Sequence, residues 1–90
     1  YHDLIACPDV DVIDISTSNN AHFEVAKAAI EAGKPFCLEK PVTLTAEEAD
    51  ILAKAAQEKG IPNMVCFSYR FKAAARYAKE LVEKGMLGDI

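Results

Sequence analysis

Residues 10–20, Val10-Asp11-Val12-Ile13-Asp14-Ile15-Ser16-Thr17-Ser18-Asn19-Asn20 (VDVIDISTSNN), decide how the chain is read. Val10, Val12, Ile13 and Ile15 form a β-branched run, which predicts a buried strand of about five residues. Asp14 lies inside that run, and a buried carboxylate would need a partner. The polar cluster from Ser16 to Asn20 then predicts a loop and a helix N-cap. From Ala21 to Ala32 the period changes to that of a helix. Val25, Ala28, Ala29 and Ala32 fall on one face, and Gly33 stands where a left-handed C-terminal residue belongs. Strand, polar loop and helix in that order are the first half of a crossover unit.

Outward from this stretch the pattern repeats. Pro35 to Leu38 predicts a second strand. Thr45-Ala46-Glu47-Glu48 is a capping box, in which hydroxyl and carboxylate each accept from a free backbone N–H. The helix after it carries Ala49, Leu52, Ala53 and Ala56 on one side and ends at Gly60, with Pro62 beyond. Met64 to Phe67 predicts a third strand, and Lys72 to Lys84 a further helix. Upstream, Asp3 to Cys7 predicts the last turn of a helix, stopped by Pro8. A βαβαβ order at this spacing means parallel strands joined by right-handed crossovers, so the fold class is α/β. The strands lack clean alternation, which predicts helices on both faces of the sheet.

The totals narrow the possibilities. Ninety residues suffice for one small domain, burying ~60–65% of its unfolded surface. Apolar residues make up 51% and charged residues 27%, the balance of an ordinary globular chain. A net charge of −4 with no basic stripe argues against nucleic acid as a partner. No run is long and apolar enough for a membrane span. Cys7, Cys37 and Cys66 are odd in number and form no CxxC pair, so no metal site is predicted. Cys37 and Cys66 are expected as small buried apolar residues of a cytoplasmic protein.

Three polar clusters follow the three strands: Ser16-Thr17-Ser18-Asn19, Glu39-Lys40-Pro41 and Ser68-Tyr69-Arg70. In a parallel sheet these ends lie on one edge, where ligands of open α/β sheets bind. Lys40 is the candidate catalytic residue, because an ammonium can donate to a developing alkoxide. Pro41 holds Lys40 to extended backbone angles. Glu39 either orients the lysine or accepts from a ribose hydroxyl; the plain alternative is a solvated turn. Thr17 and Asn19 are cofactor contacts or N-capping residues. His22, in the first helical turn, is more often a local structural donor than a catalyst. Arg70 is a ligand contact or a guanidinium stacked between Tyr69 and Phe71.

The stretches ISTSNNAH, AIEAGKPFCLEKPVTLTAEEADIL and MVCFSYRF resemble the Gfo/Idh/MocA oxidoreductases, and the likeness runs to the EKGMLGDI tail. The family's Glu-Lys-Pro motif matches Glu39, Lys40 and Pro41. Its Thr-Pro-Asn-x-x-His pattern matches Thr17, Asn19 and His22, with Ser18 in place of proline. The resemblance implies the C-terminal half of a Rossmann dinucleotide-binding domain over residues 1–68. Residues 69–90 would begin a substrate domain with its first helix. It implies NAD or NADP as cofactor, a sugar or polyol as substrate, and a homo-oligomer. Thr17, Asn19, His22, Glu39, Lys40, Pro41 and Arg70 would contact the cofactor, and the Lys40–Pro41 peptide would be cis. No GxGxxG occurs, so the chain is expected to be a fragment that alone neither binds the cofactor tightly nor turns over substrate. The strand near Val12 is expected to leave an open edge that recruits another chain. The rival expectation is a non-catalytic half-Rossmann module that dimerises.

Overall fold

The computed structural model describes residues 1–89. The tail that carries the resemblance ends at Ile90, which lies outside them. A short helix α1 (His2–Ala6) precedes β1 (Ile13–Ile15), and a 3-10 turn (Asn19–Ala21) leads into α2 (His22–Glu31). Then come β2 (Phe36–Glu39), α3 (Ala46–Glu58) and β3 (Asn63–Cys66). A second 3-10 turn (Ser68–Phe71) and α4 (Ala73–Glu83) complete the order. The strands form one parallel sheet in the order β1-β2-β3. Ile13, Asp14 and Ile15 lie opposite Phe36, Cys37 and Leu38; Phe36 to Glu39 lie opposite Asn63 to Cys66. The α/β class and the parallel pairing read from the sequence are therefore observed.

Burial alternates along β1 and β2 but not along β3, where Asn63 and Met64 are exposed and Val65 and Cys66 half-buried. Ile13, Ile15, Phe36 and Leu38 are buried on one face beneath α2 and α3, which pack against each other. Asp14, Cys37, Glu39, Met64 and Cys66 share the other face by the period of two. That face is not covered by helices: Asp14 and Met64 are exposed, and Cys37, Glu39 and Cys66 are half-buried. The expectation of helices on both faces is corrected here. Two crossovers in the same direction put both helices on the same side, and alternation survives because only that side is dry. Asp14 consequently reaches water and needs no partner. Cys37 and Cys66 are not core residues.

β1 is shorter than predicted. The Ile13 N–H donates to the Pro35 carbonyl at 2.9 Å, and pairing begins there. Proline cannot donate, and the Gly33-Lys34 turn lies before it, so Val10 to Val12 find no ladder opposite them. Val12 is exposed at 59%. Lys34 steadies the same segment: its Nζ donates to the carbonyls of Cys7 (3.1 Å) and Val10 (2.5 Å).

The core gathers Ile5, Ile13, Ile15, Phe36 and Leu38 with Val25, Ala26, Ala29 and Ile30 of α2 and Leu52 and Ala56 of α3. Ile15, Ile30 and Leu38 are almost wholly enclosed, each stabilising the fold by about 1.5–3 kcal/mol. The buried stripe of α2 is rotated from the predicted one, with Ala26 and Ile30 inside and Ala32 outside. Ala53 of α3 is likewise exposed. Alanine is compatible with either side, so larger neighbours decide the rotation.

Both helices stop as predicted. Gly33 (φ 72°) and Gly60 (φ 63°) take left-handed angles. Their N–H groups bond to Ile30 and Gln57, and the next residues' N–H groups reach back to Ala29 and Ala56, closing Schellman turns. At the start of α3 the Thr45 hydroxyl accepts from the Glu48 N–H at 3.2 Å, while the Glu48 carboxylate accepts from the Leu44 N–H at 3.3 Å. The capping box therefore closes one residue upstream of its usual partner. Helix α4 packs mainly against the turn before it and is exposed along nearly its whole length.

Candidate functional site

Parallel pairing brings the ends of all three strands to one edge of the sheet. The loop after β1 carries Thr17 and Asn19, both exposed. The segment after β2 carries Lys40 and Pro41, also exposed, joined by a cis peptide bond as the resemblance implied. Glu39 belongs to β2 itself, half-buried opposite Cys66. It is the last residue of that strand and lies on the uncovered face. Among the described residues Lys40 forms no ion pair, so its ammonium is available to a ligand.

The two loops are joined through His22. Helix α2 begins with this residue, which is completely buried (0% exposed) and is the one buried polar side chain among the described residues. Its Nδ1 lies 2.7 Å from the Pro41 carbonyl oxygen, and its Nε2 lies 3.2 Å from the Thr17 carbonyl oxygen. Carbonyl oxygens only accept, so each contact calls for a ring N–H. A neutral imidazole supplies one, which the shorter contact takes; an imidazolium supplies two. The geometry of His22 is that of a structural donor, since both ring nitrogens meet main-chain carbonyl oxygens.

Arg70 lies in the second 3-10 turn and is exposed. Its guanidinium carbon is 6.0 Å from the Phe71 ring centroid, at the limit of a cation–π contact. The ammonium of Lys72, not Arg70, sits over Tyr69, at 3.7 Å. Arg70 also lines the two cavities on this side of the molecule. One, of about 780 Å³, lies between the turn and α4 beside Phe67, Arg76 and Lys79. The other, of about 190 Å³, adjoins Met64, Cys66 and Phe71. Neither is lined by Thr17, Asn19 or Lys40. The structure thus ties Thr17, His22 and Pro41 into one unit and leaves Arg70 on separate surfaces.

On the uncovered face Cys37 Sγ and Cys66 Sγ are 2.9 Å apart. The hydrogen bond with Cys37 pushes the Cys66 thiol up to about 11 from its usual 9.0, helped by partial burial and by the negative charges of Glu39 and Asp14. Such a thiol is a poor nucleophile at neutral pH. The pair was not legible in sequence, because 29 residues separate its members. Nothing local marks the carbonyls of Thr17 and Pro41 as acceptors either. Among the described residues no cluster of three or more His, Cys, Asp or Glu is placed to hold a metal ion. No described helix is long and apolar enough to cross a membrane.

A parallel α/β sheet with polar loops gathered at the carboxyl ends of its strands defines a class of proteins that bind ligands at that edge. Comparison with known proteins narrows this. The sequence profile described as oxidoreductase family, NAD-binding Rossmann fold (Gfo/Idh/MocA) matches residues 1–67, and the chain belongs to that family. Levoglucosan dehydrogenase of Pseudarthrobacter phenanthrenivorans is 42% identical over the whole chain, which covers 23% of that protein. The scyllo-inositol 2-dehydrogenase (NADP(+)) of Bacillus subtilis is 37% identical over 92% of the chain and 23% of its own length. The solved structure of levoglucosan dehydrogenase in complex with NADH and levoglucosan superposes with a TM-score of 0.90 at 43% identity. That match covers 98% of this chain and 24% of the dehydrogenase. The chain therefore spans about a quarter of the length of these relatives.

The residues present fit one end of a nicotinamide cofactor. The Thr17 hydroxyl, the Asn19 amide and the Lys40 ammonium, all exposed at the sheet edge, suit ribose hydroxyls and a carboxamide. Among the described residues no glycine-rich turn opens a helix toward the pyrophosphate end. Gly33, Gly60 and Gly85 each follow a helix C-terminus, and none opens a helix toward a phosphate.

Proposed function

We propose that these residues form the C-terminal half of the cofactor domain, over 1–68, and the start of a substrate domain, over 69–90, in a longer NAD(P)-dependent dehydrogenase of sugars or polyols. The observation that carries this is an exposed, unpaired Lys40 at the end of β2, held beside the loop bearing Thr17 and Asn19. The relatives' names, levoglucosan dehydrogenase and scyllo-inositol 2-dehydrogenase, set the substrate class.

Thr17 and Asn19 hold the nicotinamide ribose, and Glu39 and Pro41 border it. The Lys40 ammonium donates a hydrogen bond to the substrate carbonyl oxygen and gives up that proton as the oxygen becomes a hydroxyl; in the reverse direction the amine takes the hydroxyl proton back. The nicotinamide, when bound, supplies the hydride acceptor or donor. Arg70 meets the cofactor from the third strand end. The protein is cytoplasmic and acts as a homo-oligomer; the 90-residue chain alone is inactive, since the phosphate cradle and the substrate pocket lie outside it.

The test is Lys40→Ala in the full-length dehydrogenase. Loss of the shared proton is expected to lower kcat by about 10²–10⁴-fold, with a smaller loss of cofactor affinity followed by NADH fluorescence. A variant whose kcat stays within about threefold of the parent would remove Lys40 from the chemistry.

A further inference from the structure

We propose that His22 is a positioning residue that sets where Lys40 stands relative to the cofactor loop. This rests on the role given to Lys40 above. Three observations support it. The ring is fully buried and has no ligand-facing nitrogen. Its two partners are main-chain carbonyls on different loops, one five residues upstream and one 19 residues downstream. One of them belongs to Pro41, the residue that follows Lys40, and the other to Thr17.

The ring is rigid, and its backbone is fixed as the first residue of α2. The separation of the two loops is therefore set by the width of an imidazole. The Lys40–Pro41 segment cannot drift from Thr17 and Asn19 without stranding a buried polar atom. An aliphatic side chain of equal volume would fill the space but would leave the Pro41 carbonyl without its donor. The neutral ring donates to Pro41 alone, and only the imidazolium donates at both ends.

The two ends can be tested separately. In His22→Asn the amide nitrogen occupies the place of Nδ1 and retains the donor to Pro41. In His22→Gln it occupies the place of Nε2 and retains the donor toward Thr17. In the full-length dehydrogenase His22→Gln is expected to lose about 100-fold in kcat with KM for the dinucleotide within about threefold. His22→Asn is expected to raise that KM by about tenfold with a much smaller loss in kcat. A residue that only supported folding would give no such opposite split. Equal losses in both variants, or no change in either, would overturn the proposal.

Lys40→Ala serves as the control. If it keeps its kcat, the role of Lys40 fails, and the latch is then judged by the ring itself. In ¹⁵N spectra of the wild-type protein the Nδ1 position should carry a proton slow to exchange with water. A ring protonated on Nε2 alone, or an Nδ1 proton in free exchange, overturns the latch. The same spectra decide the matter if His22→Gln does not fold.

Discussion

Cys66 illustrates how a residue's state follows from a neighbour distant in sequence. Its thiol shares a hydrogen bond with Cys37 across two parallel strands and lies near the carboxylates of Glu39 and Asp14. Each of these favours the neutral thiol over a thiolate. In a Cys7→Ser background, alkylation of Cys66 by iodoacetamide, followed by mass spectrometry, is expected to be slow at pH 8 and to rise with a midpoint near 11. Cys37→Ser should move that midpoint down toward 9.0. A midpoint at 9.0 or below with Cys37 present would contradict the contact. The stability consequence has a definite sign. The folded state holds this proton more tightly than the unfolded chain, so the contribution is complete below pH 9 and is lost between pH 9 and about 11. Glu39 and Lys40 are adjacent in sequence, yet one ends a half-buried strand and the other points into solvent. Type and order alone did not separate them.

At the scale of elements, local chemistry accounts for most boundaries. Thr45 and Glu48 begin α3 by capping free N–H groups, and Gly60 ends it with a left-handed turn. Lys59 extends this order to its neighbour: its ammonium lies 3.5 Å from the Ile30 carbonyl and 3.4 Å from that of Glu31, at the negative end of α2. Thr45→Ala is expected to destabilise the fold by about 0.5–2 kcal/mol, with Thr45→Ser close to neutral. Urea denaturation reads the difference. Equal midpoints for the wild-type chain and Thr45→Ala would mean the cap contributes nothing. Capping was legible because its donors and acceptors lie within four residues. The rotation of α2 was not, because its alanines fit both sides and Ile30 settled the question by entering the core.

Across the whole molecule, two helices cover one face of a three-stranded sheet, and the other face and the β1 edge stay open. Unpaired backbone groups along an apolar edge recruit further strands. The isolated chain is therefore expected to self-associate through the segment around Val12. Val12→Lys should shift it toward monomer in sedimentation velocity, since a charge on an edge disfavours pairing. A wild-type chain that sediments as a monomer at every concentration would rule this out. The edge was foreseen from Val10 to Ile15; the bare face was not. Consecutive crossovers in one direction stack their helices on one side, and that geometry is a property of strand order.

The sequence by itself determined the order of elements, the parallel pairing, the helix caps and the three polar strand ends. Those features depend on hydrophobic period, turn chemistry and hydrogen bonds over a few residues. Only the tertiary structure decided which face of the sheet is covered, that Cys37 meets Cys66, and that His22 joins the Thr17 and Pro41 carbonyls. Each of those arises where the folded backbone brings groups distant in the chain within hydrogen-bonding range, and no local pattern encodes such a meeting.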